Sequence, residues 1–223
     1  ESHTGGYTPF SLNITPALKN GGDNEVVVRV WDPTDLGPQP RGKQVAKPEK
    51  IWYTSVTGIW QTVWLEPVNE THISNLKILP DIDRNTLRVD VQPSDSAKGY
   101  MTEVTVTDNG KTVATGRAVS GQPVVIPMPG DVKLWTPDNP HLYDLEVKLT
   151  LEGKTLDTVD SYAAMRKFST KMGEKGMVRL QLNNEDLFHF GLLDQGWWPD
   201  GLYTAPSHEA MTYDVDKTLY WGY

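Results

Sequence analysis

Tyr143-Asp144-Leu145-Glu146-Val147-Lys148-Leu149-Thr150 is the stretch that decides the fold class. Tyr143, Leu145, Val147 and Leu149 alternate with Asp144, Glu146, Lys148 and Thr150. That period of two buries one face of a strand and wets the other. Leu87, Val89 and Val91 alternate with Arg88, Asp90 and Gln92 in the same way. Asn109-Gly110 separates Glu103–Thr107 from Lys111–Thr115, and both central residues tolerate the positive φ of a type I′ hairpin turn. Glu152-Gly153 marks a second hairpin. From about Thr71 to Phe168, short strands recur between turns at the spacing of a seven-stranded sandwich of ~100 residues.

Outward from this centre the texture changes. Toward the N-terminus, Asn20-Gly21-Gly22 leads into a strand expected at Glu25–Trp31, and Ile59–Glu66 reads as another. Between them, Asp32 to Lys50 carries Pro33, Pro38, Pro40 and Pro48; so long a loop is commonly functional or disordered. Toward the C-terminus, Val178, Leu180 and Leu182 alternate up to a turn at Asn183–Asp186. An apolar strand is expected over Leu187–Leu192, with His189 interior or facing a helix. The Gly/Pro/Trp-rich loop Asp194–Pro206 follows. Met211, Val215 and Leu219 then recur at helical spacing behind a Ser207 cap, with Glu209 in the first turn. Strand, loop and helix make one βα unit.

Composition narrows the function classes. The 223 residues carry 29 acidic and 21 basic side chains, a formal charge of −8. No basic stripe exists to release phosphate counterions, so a nucleic acid is not an expected partner. Nor is a membrane: clustered Lys and Arg for an anionic surface are absent, and no apolar run approaches the ~20 residues of a spanning helix. Cysteine is absent, which removes disulfides, thiolate metal sites and thiol nucleophiles. The five histidines show no ligand spacing, so neither a metal nor a cofactor is expected. Eight Trp and nine Tyr against four Phe give aromatics with polar handles, suited to wet, apolar-faced binding sites. With no initiator Met and no signal-like segment at Glu1, the chain is expected to be a mature form or a cut piece.

Several stretches, taken in order, resemble glycoside hydrolase family 2, the β-galactosidase and β-glucuronidase group. His3-Thr4-Gly5-Gly6-Tyr7-Thr8-Pro9-Phe10 and Asn13-Ile14-Thr15 are similar to its sugar-binding domain. Trp31-Asp32-Pro33-Thr34-Asp35 and Pro40-Arg41-Gly42-Lys43-Gln44 resemble a bacterial branch of it. Ile51-Trp52-Tyr53 and Thr57–Leu65 resemble the strand closing that domain. Leu134–Tyr143 and Met165-Arg166-Lys167 resemble parts of its immunoglobulin-like domain, the latter its final strand. Asp194–Pro206 looks like the opening of its catalytic barrel. The resemblance implies a mainly β chain: residues 1–68 the C-terminal part of a jelly-roll-like sugar-binding sandwich, 69–168 an immunoglobulin-like sandwich, and 169–223 the first βα unit of a TIM barrel.

The family implies a retaining exo-β-glycosidase with two barrel glutamates, the acid/base in an Asn-Glu dipeptide. Asn24-Glu25, Asn69-Glu70 and Asn184-Glu185 fall outside those later strands and read as polar turns, so no catalytic residue is expected here. Residues after a barrel strand face the active site. Better-studied relatives have Asn-Arg-His-Glu where this chain has Leu193-Asp194-Gln195-Gly196, so Gln195 takes the place of a sugar-touching His. Asp194 is expected to accept from sugar hydroxyls, and Trp197 or Trp198 to stack on the ring, unless one merely plugs the rim. Asp32 and Asp35, three apart on a Pro-stiffened loop, meet a sugar hydroxyl or a hard cation, or simply serve an Asx-type turn before Pro33. Arg41 and Lys43 pair with those acids in the plainer reading.

The expected partners are a carbohydrate substrate and the remainder of the enzyme, in the same chain or in a partner completing the barrel; a homo-oligomer stays open. Physics argues likewise, since exposing Leu187, Phe188, Phe190 and Leu192 forfeits roughly 1.5–3 kcal/mol each. A non-catalytic carbohydrate-binding or scaffold protein is the alternative, and a purely structural sandwich leaves Asp194–Pro206 unexplained. The resemblance implies a bacterial protein, periplasmic or secreted rather than cytoplasmic.

Overall fold

A computed structural model describes residues 1–95 and 99–223. The chain divides into two units: Glu1–Val63 with Leu193–Lys217, and Trp64–Leu192 with Thr218–Tyr223. In the first, β1 (Gln44–Val45) and β2 (Tyr53–Thr54) form a short parallel pair, Gln44 opposite Tyr53 and Val45 opposite Thr54.

The second unit holds the sandwich. Its strands are β3 (Ile73–Asp81), β4 (Thr86–Pro93), β5 (Met101–Asp108), β6 (Lys111–Val119), β7 (Val124–Pro127), β8 (Tyr143–Leu151) and β9 (Lys154–Ala163). They pair antiparallel into sheets of order β3-β4-β7 and β6-β5-β8-β9. Seven strands in two antiparallel sheets are what the spacing predicted. Both hairpin turns carry the expected backbone: Asn109 and Gly110 at φ 50° and 76°, Glu152 and Gly153 at 51° and 79°. Pro80 sits in β3, an edge strand, where its missing N–H breaks no central ladder.

The period of two becomes the core. Leu87, Val89 and Val91 of β4 meet Val104 and Val106 of β5, Val124 and Ile126 of β7, and Tyr143, Leu145 and Val147 of β8 in one buried cluster. Gly116 of β6 belongs to the same fit. A Cβ there would lie 2.7 Å from Ile126 Cγ1 and 2.8 Å from Val124 Cγ1, so only a bare α-carbon allows the approach.

Beyond the sandwich, β10 (Phe168–Met172), β11 (Val178–Leu182) and β12 (Glu185–Asp186) form a small antiparallel sheet. The final strand expected at Met165-Arg166-Lys167 is instead the link between β9 and β10, with Met165 fully buried. Arg166 lies over the rings of Trp135 at 4.6 Å and Phe168 at 5.2 Å. Helix α1 (His208–Tyr220) starts as predicted: Ser207 Oγ accepts from the Ala210 amide at 3.2 Å. The Glu209 carboxyl is held below its ordinary value, first by its own backbone amide and then by Ser207.

Three expected strands do not form. Glu25–Trp31, Ile59–Glu66 and Leu187–Leu192 carry no ladder, and most of their apolar side chains are exposed. A strand exists only through a ladder of hydrogen bonds to its partners; among the described residues Leu187 N donates to Leu180 O at 2.9 Å, beside the β11–β12 pair, and no ladder follows from it. His189 is likewise exposed rather than interior.

Candidate functional site

The first unit gathers several of the sequence-derived residues around one short turn. Asp194 Oδ1 accepts from the Gly196 amide at 2.7 Å, an Asx turn completed by Gly196 at φ +61°. The turn leaves Gln195 at its tip and passes the chain on to Trp197. The ring of Trp197 stacks on Tyr53 with centroids 4.7 Å apart and 24° between planes. Gln195 Oε1 then accepts twice, from Lys43 Nζ at 3.1 Å and from Tyr53 Oη at 3.4 Å.

The β1–β2 pair brings these donors together. Tyr53 N donates to Lys43 O at 2.9 Å, fixing the two residues side by side. Gly42, at φ +59°, lets the chain enter β1; a Cβ there would meet Gln44 Oε1 at 2.9 Å.

An aromatic wall backs the turn. Tyr203 meets Trp197 edge-on at 5.4 Å and Trp60 at 5.6 Å, and Trp60 meets Tyr7 at 5.5 Å. The Tyr7 and Tyr203 hydroxyls are 3.3 Å apart, and Trp60 Nε1 donates to Gly6 O at 2.9 Å. Burial, then the Tyr7 hydroxyl, push the Tyr203 phenol up to about 12, so it stays protonated through the physiological range. Trp198 is pinned through its backbone: its N–H donates to Leu202 O at 2.8 Å and its carbonyl accepts from Leu202 N at 3.2 Å. Gly201 makes that turn possible, because a Cβ would fall on Thr204 O.

The acids of the Pro-rich loop are engaged locally. Asp32 Oδ1 accepts from the Thr34 amide at 2.7 Å, the turn role weighed for it. Asp35 Oδ1 accepts from the Ala46 amide at 3.2 Å, and its Oδ2 lies 3.5 Å from the Arg41 guanidinium. Arg41 also covers the Trp52 ring at 5.2 Å. These residues, with Leu36, Val45, Lys47 and Glu49, line an open groove of about 460 Å³. Arg41 thus pairs with an acid as expected, but Lys43 turns to Gln195. Tyr53, Trp60, Tyr203 and Lys43 were not singled out as site residues, although the runs Ile51-Trp52-Tyr53 and Gly201-Leu202-Tyr203 display two of the rings.

The asparagines of the Asn-Glu pairs are engaged structurally, and Glu185 opens β12 rather than completing a turn. Asn24 bonds the backbone of Lys19 and Gly22; Asn69 donates to Leu156 O; Asn184, at φ 69°, bonds Asp83. Among the described residues, no group of three or more His, Cys, Asp or Glu is placed to hold a metal.

The family model Glycosyl hydrolases family 2 matches residues 71–166. A β-galactosidase of Thermoanaerobacter pseudethanolicus is 28% identical over 165 residues, covering 70% of this chain and 21% of that protein. A β-galactosidase of Bacteroides ovatus is 28% identical over 180 residues, 74% of this chain and 20% of its own. The crystal structure of Ruminococcus gnavus β-glucuronidase superposes with a TM-score of 0.55 at 15% identity, over 68% of this chain and 24% of that one, a likeness of fold. The chain spans about a fifth of the length of these curated relatives. Its sandwich is the segment the family model matches, and through it the chain is similar to glycosyl hydrolases family 2.

Proposed function

We propose that these residues hold a terminal sugar for a retaining exo-β-glycosidase, β-galactosidase-like, whose two catalytic glutamates lie outside them. Retention needs two carboxyls ~5–5.5 Å apart flanking the glycosidic bond. The asparagines of the three Asn-Glu pairs are engaged structurally, and catalysis in this reading belongs to the rest of the enzyme, which is the expected partner. One observation carries the proposal: Gln195 is clamped by Lys43 and Tyr53 beside the Trp197 ring. A polar group fixed next to aromatic surface is the usual make-up of a sugar site.

In this reading the two tryptophans divide the labour. Trp197 is stacked on Tyr53 and forms the wall. Trp198, held by its backbone bridge to Leu202 and half-buried, supplies the ring for the sugar's apolar face. Asp194 and Asp32 each accept a turn amide on one oxygen and keep the other for a sugar hydroxyl, while Asp35, with both oxygens engaged, steadies the neighbouring loop. The test is titration of the purified chain with methyl β-D-galactoside, followed by tryptophan fluorescence, beside an assay on 4-nitrophenyl β-D-galactoside. Saturable binding, weakened about tenfold in Trp198→Ala, with no turnover is expected. Clear turnover by the chain alone overturns the division of labour.

A further inference from the structure

Gln195 Oε1 faces both the Lys43 ammonium and the Tyr53 hydroxyl. An ammonium carries three donors and no acceptor, so only the oxygen of the amide can face it. The amide orientation is thereby fixed, and the Nε2 group, with its two N–H donors, is what Gln195 has left to offer. Lys43 also keeps donors beyond the one it gives to Gln195. The tip of this turn is therefore all donor.

The charge at this tip is unneutralised as well. Arg41, two residues away, has its charge matched by Asp35 and its face covered by Trp52. Lys43 meets a neutral amide, and among the described residues it makes no ion pair. In a chain of net charge −8, an exposed ammonium held in place without a carboxylate is set for an anion from outside. A neutral hydroxyl can accept from such donors, but an anionic oxygen gains the charge-assisted bond in addition.

We infer that Lys43 and Gln195 are a specificity-determining pair that selects sugars bearing an anionic oxygen group, a carboxylate or a sulfate ester, over neutral ones. The inference rests on the sugar-holding role proposed above. Asp194 keeps its carboxylate charge, yet its Oδ1 is bound to the Gly196 amide within the turn and it does not pair with Lys43 among the described residues. Nor does Asp35, whose carboxylate is bound to Ala46 and Arg41.

The experiment titrates the full chain with methyl β-D-galactoside, methyl β-D-glucuronide and methyl β-D-galactoside 6-sulfate. The two anionic arms distinguish carboxylate from sulfate. Preference for at least one anionic sugar by about tenfold over the neutral one, shrinking as salt is raised, is expected. Lys43→Met should bring the ratio of anionic to neutral affinity close to one, and Lys43→Arg should retain the preference. Lys43 is exposed, so these variants keep the fold, which an unchanged melting curve checks. Binding of the galactoside with no anionic preference, or a preference that survives in Lys43→Met, overturns the pair's role alone. Failure of all three sugars to bind overturns it together with the sugar-holding role.

Discussion

Leu145 and Val27 come from stretches equally rich in branched apolar side chains, yet one is 2% exposed and the other 81%. Leu145 lies in β8, between β5 and β9, with the facing sheet over it. Val27 lies in Glu25–Trp31, where no strand forms and Val26, Val28 and Val30 are exposed beside it. Apolar content does not separate the two regions; partners do. The strands of the sandwich pair with one another and enclose a shared core, whereas 25–31 has neither a paired strand nor a covering layer among the described residues.

The largest effect should therefore separate these two positions. Leu145→Ala empties a site in the buried cluster and should cost about 2–5 kcal/mol in urea unfolding. Val27→Ala should change stability by no more than about 0.5 kcal/mol. A Val27→Ala cost as large as that of Leu145→Ala would mean that the valines of 25–31 are covered in solution, and the contrast would collapse.

A smaller effect sharpens the same contrast from the side of overpacking. Gly116→Val would push its Cβ onto Ile126 and Val124, both fully buried and unable to swing away. The expected cost is about 1–3 kcal/mol. Gly191→Ala, with open space around the new carbon, should cost nothing measurable. Equal melting temperatures for the two variants would show that the sheets can separate at β6 and that the core is looser than its contacts indicate.

What was legible in the sequence follows this line of self-sufficiency. Asn109-Gly110 and Glu152-Gly153 fix their hairpins through backbone conformation, a property of the residues themselves, and alternation at Leu87–Val91 and Tyr143–Leu149 names the buried face without reference to anything distant. Ser207 caps its helix through a bond three residues away. Glu25–Trp31 and Leu187–Leu192 display the same local apolarity, but pairing is a non-local fact that periodicity does not carry. The site divides likewise. The Asx turns at Asp32 and Asp194 are short-range and were open to reading. The meeting of Lys43 with Gln195 spans 152 positions of sequence, and charge matching alone pointed Lys43 toward Asp32 and Asp35 instead. Aromatic counts foretold a polar-handled cluster, yet only the fold says that Tyr53, and not a sugar, covers one face of Trp197.

The smallest effect concerns that cluster, because Tyr203 keeps part of its surface in water and the shift is screened accordingly. Its phenol is raised from 10.0 to about 12, chiefly by burial and then by the Tyr7 hydroxyl. The folded value lies above the unfolded one, so the folded chain holds this proton more tightly. The resulting stabilisation is fully present below about pH 10 and is lost as pH rises through about 12. A spectrophotometric titration of tyrosinate should show one late component, and Tyr203→Phe should delete it. Tyr7→Phe should move that component down only partway, since desolvation by the Trp60 and Trp197 rings remains. If the late component survives in Tyr203→Phe, the aromatic wall does not shield this hydroxyl, and the first unit has no packed centre of its own to set against the sandwich.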